Sequence, residues 1–134
     1  AVKEASGIYA QISEIIKYSP KGFSVVSGND DETLSMCVTG AKGVISVASN
    51  IAPREMSTFL NTILKGDFKK AKEQHHKLMP LFKNCFIESN PIPVKAGMHY
   101  LGLMQNILRP PLYSSTDSTN KIIKKTISDL KIKY

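Results

Sequence analysis

The order of apolar and polar positions divides the chain into two parts. In the first, short apolar runs recur as "VKEA" from Val2, "FSVV" from Phe23 and "GVISV" around Val44, with successive openings 21 residues apart. Each run passes into small or polar residues, "SG", "SGNDD" and "ASN". Between the runs lie stretches of helical period, with Ile8, Ile12, Ile15 and Ile16 in one and Leu34, Met36, Cys37 and Val38 in the other. Asp30 or Asp31 is placed to cap the second helix and Gly40 to end it. Strand, turn, helix and strand at this interval predict βα units building a parallel sheet. The near-continuous apolar runs suit strands covered on both faces.

After the third run, "APREMSTFLNTILKG" predicts a helix with Pro53 in its first turn and Gly66 past its end. No strand pattern follows. Asp67 can cap a long helix carrying Phe68, Ala71, Leu78, Met79, Phe82 and Phe86 on one face, with Pro80 expected to kink it. A break at "NPIP", a shorter helix from about Pro93 to Leu101 and an irregular "LRPPLYSST" come next. A last helix places Ile123, Ile127 and Leu130 on one face and lysines on the other.

Three parallel strands alone leave both sheet edges unpaired and apolar surface uncovered. A closed barrel of eight strands, each followed by a helix, takes about 250 residues. The pattern therefore predicts an α/β chain: the C-terminal part of a (β/α)8 TIM barrel, with three βα units over residues 1–66, followed by a C-terminal helical domain over 67–134. On this expectation the chain is a fragment beginning inside an enzyme, and its open edges promote self-association.

Composition narrows the class. With 134 residues, 42% of them hydrophobic, the chain suits one or two small globular units rather than a disordered segment. No apolar run approaches the roughly 18 residues of a bilayer span, and the first residues lack a basic segment leading into an apolar one. The expected location is cytoplasmic. The net charge of +7 raises the question of nucleic acid. Its lysines are spread along helices, from Lys65 to Lys83 and from Lys121 to Lys133, with no phosphate loop, zinc-finger spacing or RNA-stacking motif beside them. Solvated helix faces, with no nucleic-acid or membrane partner, account for them. Cys37 and Cys85 sit in apolar helical patterns, which favours reduced thiols over a disulfide.

Candidate chemistry starts at Lys3. A lysine at the C-terminal end of a barrel strand stands where barrel enzymes place their sites, and a desolvated amine there can attack a carbonyl to form a Schiff base. An ordinary surface lysine reads the same way from the pattern alone. Glu4 points to the opposite face and cannot be its partner. Adjacent His75 and His76 diverge by about 100° on a helix, unlike the i, i+4 pair of zinc helices. Asp30 and Asp31 admit a paired-carboxylate reading, but a helix cap needs fewer assumptions. Tyr9, Tyr18, Tyr100, Tyr113 and Tyr134 show no spacing that singles out a general acid.

The segment "VKEASG" resembles the Schiff-base lysine strand of the pyruvate-dependent aldolase and lyase family. "SGNDDETL", "GAKGVISVASNIAPREM", "GDFKKAKEQHHKLMPLFKNCFIESNPIPVK" and "LRPPL" match in register downstream. "GVISV" and "ESNPIPVK" resemble the family's synthase branch more than its sialic acid lyase branch. The resemblance implies that Lys3 forms the Schiff base with pyruvate, that the Ile45 carbonyl faces the bound pyruvate, and that the backbone approaches the pocket at Gly28. It implies pyruvate and aspartate 4-semialdehyde as substrates, no cofactor or metal, and a homotetrameric parent enzyme in diaminopimelate and lysine biosynthesis. Ile8 departs from the acidic or amide residue common after the "SG". The family's hydroxyl relay, a threonine and two tyrosines, and its carboxylate-binding arginine lie upstream of the matched region. The chain by itself is therefore expected to be inactive. A non-catalytic folding or interaction module is the alternative, and a sialic acid lyase-like aldolase a more distant one.

Overall fold

A computed structural model describes residues 1–133; Tyr134 lies outside them. Two short strands, β1 (Val2–Glu4) and β2 (Val25–Ser27), pair in parallel with Val2 opposite Val25, Lys3 opposite Val26 and Glu4 opposite Ser27. The third apolar run forms no strand of its own. It joins the sheet through one parallel bridge, Ser27 to Val44, in which Ser27 N donates to Gly43 O and Ile45 N to Ser27 O, both at 2.8 Å. The second run is also shorter than its pattern, because Phe23 stays 41% exposed outside the ladder.

Helices cover one side of these segments. The first, α1 (Tyr9–Tyr18), and the second, α2 (Thr33–Thr39), bury Ile12 and Met36 against Val25 and Ala41, with Val2, Ile15, Ile16 and Cys37 packed around them. Gly40 ends α2 at a φ of +129°, where its lack of a Cβ removes the strain of a left-handed backbone. Ile8 and Val38, both in the helical patterns, remain exposed. Asp30 does not cap α2. A 3₁₀ turn, Asp30–Glu32, leads into that helix, and the residue at its cap position, Glu32, makes no side-chain capping bond.

A larger core is built by the later helices. The helix α3 (Pro53–Leu64) opens with Pro53 in its first turn, as its sequence predicts. The long α4 (Phe68–Asn84) is capped by Asp67, whose carboxylate accepts from Lys70 N at 3.1 Å, and it runs through Pro80. It buries Ala71, Leu78, Leu81 and Phe82 against Phe59, Met56 and Ile63 of α3. Phe68 and Phe86 belong to the apolar pattern but are about half exposed, because they lie at the helix start and beyond its last turn. Ala48, Ile51 and Ala52 continue this core beneath the bridged segment.

The remaining helices, α5 (Ile92–Tyr100) and α6 (Asp117–Asp129), close it. Gly97 lets α5 approach Ile51 closely: a Cβ there would sit 2.5 Å from Ile51 Cδ1. Asn84 donates to Thr126 at 2.7 Å across α4 and α6, and Glu88 accepts from both the backbone and the hydroxyl of Thr116, the α6 cap, at 3.0 Å. Both cysteines are free thiols, Cys85 fully buried. No described helix is long and apolar enough to cross a membrane.

Candidate active site

Side chains alternate along a strand, so the ladder register separates two faces. Val2, Glu4, Val25, Ser27 and Val44 share the face under the helices. Lys3, Val26, Gly28 and Ile45 share the other, which no described helix covers: Lys3 is exposed, and Ile45 is 53% exposed.

The buried face fixes the strand that carries Lys3. Glu4, 6% exposed, accepts from Ser6 N at 2.6 Å and from the Gln11 side chain at 3.4 Å. The Ser6 amide holds its carboxyl below the usual glutamate range against the opposing effect of burial. This carboxylate belongs to the loop after β1 and does not reach the Lys3 face, as alternation requires.

Gly28 lies directly against Lys3. Its amide donates to Glu4 O at 2.7 Å, and a Cβ at this position would come within 2.9 Å of Lys3 Cε, 2.6 Å of Ala5 Cβ and 3.1 Å of Glu4 O. The lysine stem therefore occupies space that any other residue would fill. The structure brings Lys3 and Gly28 together and sets Ile45 on the same face, one segment further across.

The Ile45 carbonyl stands at the end of the ladder. A continuing parallel ladder would send Asn29 N to this oxygen. Asn29 N instead donates to Ser27 Oγ at 3.2 Å, and Ser27 Oγ donates to Asn29 O at 2.8 Å. Among the described residues the Ile45 carbonyl accepts no hydrogen bond. Beyond it, Val47 N and Ala48 N donate to Asp30 Oδ2 at 3.0 and 2.9 Å. Asp30 thus caps the 3₁₀ turn Ala48–Asn50, 18 residues onward, and not α2, while Asp31 beside it is exposed. Sequence reasoning missed both Ser27 and this use of Asp30. The only local signal was a hydroxyl two residues before an asparagine, a pairing that favours side-chain turns.

The other candidates stay apart from this face. His75 packs at the edge of the α3–α4 core against Phe59 and Phe82; burial, and next the charge of His76, lower its pKa, opposed by Asp31. Among the described residues no group of His, Cys, Asp and Glu side chains is arranged to hold a metal ion.

Fold and site together define an α/β protein that presents a lysine on an open strand face, beside a glycine and an unpaired backbone carbonyl. Comparison with known proteins gives the family. The sequence profile of the dihydrodipicolinate synthetase family matches residues 1–130, and the chain belongs to that family. It is 45% identical over 130 residues to 4-hydroxy-tetrahydrodipicolinate synthase of Methanocaldococcus jannaschii, covering 97% of this chain and 44% of that protein. The enzyme of the same name from Thermosipho melanesiensis is 41% identical over 132 residues, covering 98% and 46%. The crystal structure of dihydrodipicolinate synthase from Aquifex aeolicus superposes with a TM-score of 0.94 at 42% identity, over 97% of this chain and 44% of that one. The chain thus spans slightly less than half the length of these relatives.

Proposed function

We propose that this chain carries the nucleophilic half of a lyase that condenses pyruvate with aspartate 4-semialdehyde, with Lys3 as the Schiff-base lysine and Gly28 and Ile45 as parts of the pyruvate site. The observation that carries the reading is Lys3 packed against Gly28 on an open face of a parallel ladder, with Ile45 in register on the same face and its carbonyl unpaired at the ladder's end. In the same reading residues 1–66 are the last three βα units of a (β/α)8 barrel, residues 67–134 are its helical extension, and the full-length enzyme is a homotetramer.

The chemistry follows from the amine. The Lys3 amine attacks C2 of the keto acid, and the carbinolamine loses water to give an imine, which accepts a proton on nitrogen. The protonated imine withdraws electrons from C3, whose proton leaves to give an enamine. The enamine carbon then bonds to the aldehyde carbon of the second substrate, whose oxygen takes up a proton. Cyclisation of the product through its own amine displaces Lys3 and restores the free nucleophile.

Removal of the C3 proton and protonation of the aldehyde oxygen each call for a positioned acid or base, typically contributing about 10² to 10⁴-fold. The ladder neighbours of Lys3 on its face, Val26, Gly28 and Ile45, carry no acidic or hydroxyl side chain. Those groups must come from outside this set, so the chain alone is expected to form the imine but not to complete the condensation. Incubation with pyruvate and borohydride, followed by peptide mass spectrometry, should place the reduced adduct selectively on Lys3. A folded chain labelled evenly over its exposed lysines, or not labelled at Lys3, overturns the assignment.

A further inference from the structure

The Ile45 carbonyl is useful to a ligand only if it is both unpaired and held still, and two buried polar side chains secure these conditions. Ser27, fully buried, turns the Asn29 amide away from the carbonyl by accepting that amide at its own hydroxyl. Asp30, 2% exposed, holds the two amides that follow, Val47 N and Ala48 N, on a single carboxylate oxygen. On its other side Ile45 is fixed by the hydrogen bond that its backbone N–H donates to Ser27 O at 2.8 Å. The peptide that carries the carbonyl is therefore anchored before and after, while the one amide that would occupy it is diverted.

We infer that Ser27 and Asp30 are positioning residues that keep the Ile45 carbonyl open and fixed as an acceptor for the hydrogen-bearing groups formed when a 2-keto acid adds to Lys3, the carbinolamine hydroxyl or the protonated imine N–H. Neither side chain lies on the Lys3 face: Ser27 belongs to the opposite face of β2, and Asp30 spends its bonded oxygen on the Val47–Ala48 turn. Their effect on the ligand passes through the backbone. The inference rests on the pyruvate-site reading above and extends it to residues that do not touch the ligand.

Single-oxygen acceptance by Asp30 gives the conservative variant its value. The amide oxygen of Asp30→Asn can take both backbone donors in place of Oδ2, whereas Asp30→Ala removes the acceptor. Ser27→Ala frees Asn29 N to close the ladder onto Ile45 O. Two measurements on the full chain decide the matter, with circular dichroism confirming the fold of each variant. Amide hydrogen exchange should show Val47 and Ala48 exchanging about 10-fold or more faster in Asp30→Ala, near the wild-type rate in Asp30→Asn, and Asn29 more protected in Ser27→Ala. Pyruvate titration of borohydride trapping at Lys3 should show half-saturation raised about 10-fold in Asp30→Ala and in Ser27→Ala, and restored to within about 3-fold in Asp30→Asn.

A purely structural role would reduce the folded fraction without moving the half-saturation of what remains folded. If Asp30→Ala does not fold, Val47→Pro removes one donor with Asp30 intact, at a φ of −82° close to proline's own, and a smaller rise in half-saturation is expected. Unchanged half-saturation in folded variants overturns the inference. A wild-type chain that traps no pyruvate at Lys3 overturns the pyruvate-site reading and this role with it; exchange rates that still respond to Asp30→Ala then place the failure in that reading and not in the backbone anchor.

Discussion

Replacing Gly28 by alanine tests the close approach on which the candidate site depends. The new Cβ would stand 2.6 Å from Ala5 Cβ, 3.1 Å from Glu4 O and 2.9 Å from Lys3 Cε. Carbon atoms in contact ordinarily lie about 3.5–4.0 Å apart, so β1 and β2 must separate by about 1 Å or the Lys3 stem must leave its place. Lysine can swing away, but Ala5 Cβ and Glu4 O are fixed to the backbone, and the Gly28 amide bond to Glu4 O opposes the separation. Overpacking of this kind costs about 1–3 kcal/mol. Gly43 supplies the control from the neighbouring segment: a Cβ there meets only Val26 Cγ1, at an ordinary 3.7 Å. Urea unfolding followed by far-ultraviolet circular dichroism should show Gly28→Ala destabilised by that amount and Gly43→Ala within about 0.5 kcal/mol of wild type. Equal stabilities for the two variants would refute the steric reasoning, and with it the claim that Gly28 makes room for Lys3.

Two titrations give further expectations. Burial, and next the charge of Asp30, push the Cys85 thiol up to about 12, so between about pH 9 and that value the native chain keeps a proton that the unfolded chain has lost. Stability should therefore fall with rising pH from about pH 9, by about 1.4 kcal/mol per pH unit from this thiol, and Cys85→Ala should flatten the slope in urea titrations. Glu4 shows the opposite sign. The Ser6 amide lowers its folded pKa, so its stabilisation is present above the unfolded value near 4.3 and lost as pH falls through the folded one. Glu4→Gln should flatten the acid limb of the stability profile, and an unchanged limb would remove Glu4 from the account of how β1 is held.

Much of the secondary structure was legible because it depends on local periodicity. The helix α3 between its leading Pro53 and Gly66, the Asp67 cap of α4 and the Ile123 face of α6 are set within a few turns of chain, where backbone geometry and nearby side chains decide the outcome. Lys3, Gly28 and Ile45 were singled out for another reason: they sit in segments that resemble a family. Periodicity by itself left Lys3 equal to any surface lysine.

Tertiary structure decided what depends on partners distant along the chain. The "GVISV" run has the composition of a strand, but a strand exists only where a neighbour supplies its hydrogen bonds, and here Ser27 and the Asp30 anchor end the ladder after one bridge. Phe68 and Phe86 match the apolar stripe of α4 yet stay exposed, since burial depends on what faces a side chain and not on its periodicity. Asp30 has the residue type of a helix cap, and capping is what it does. Which turn it caps was settled by the approach of Val47 and Ala48 through space, because a carboxylate bonds the nearest unpaired amides and sequence order does not determine which those are.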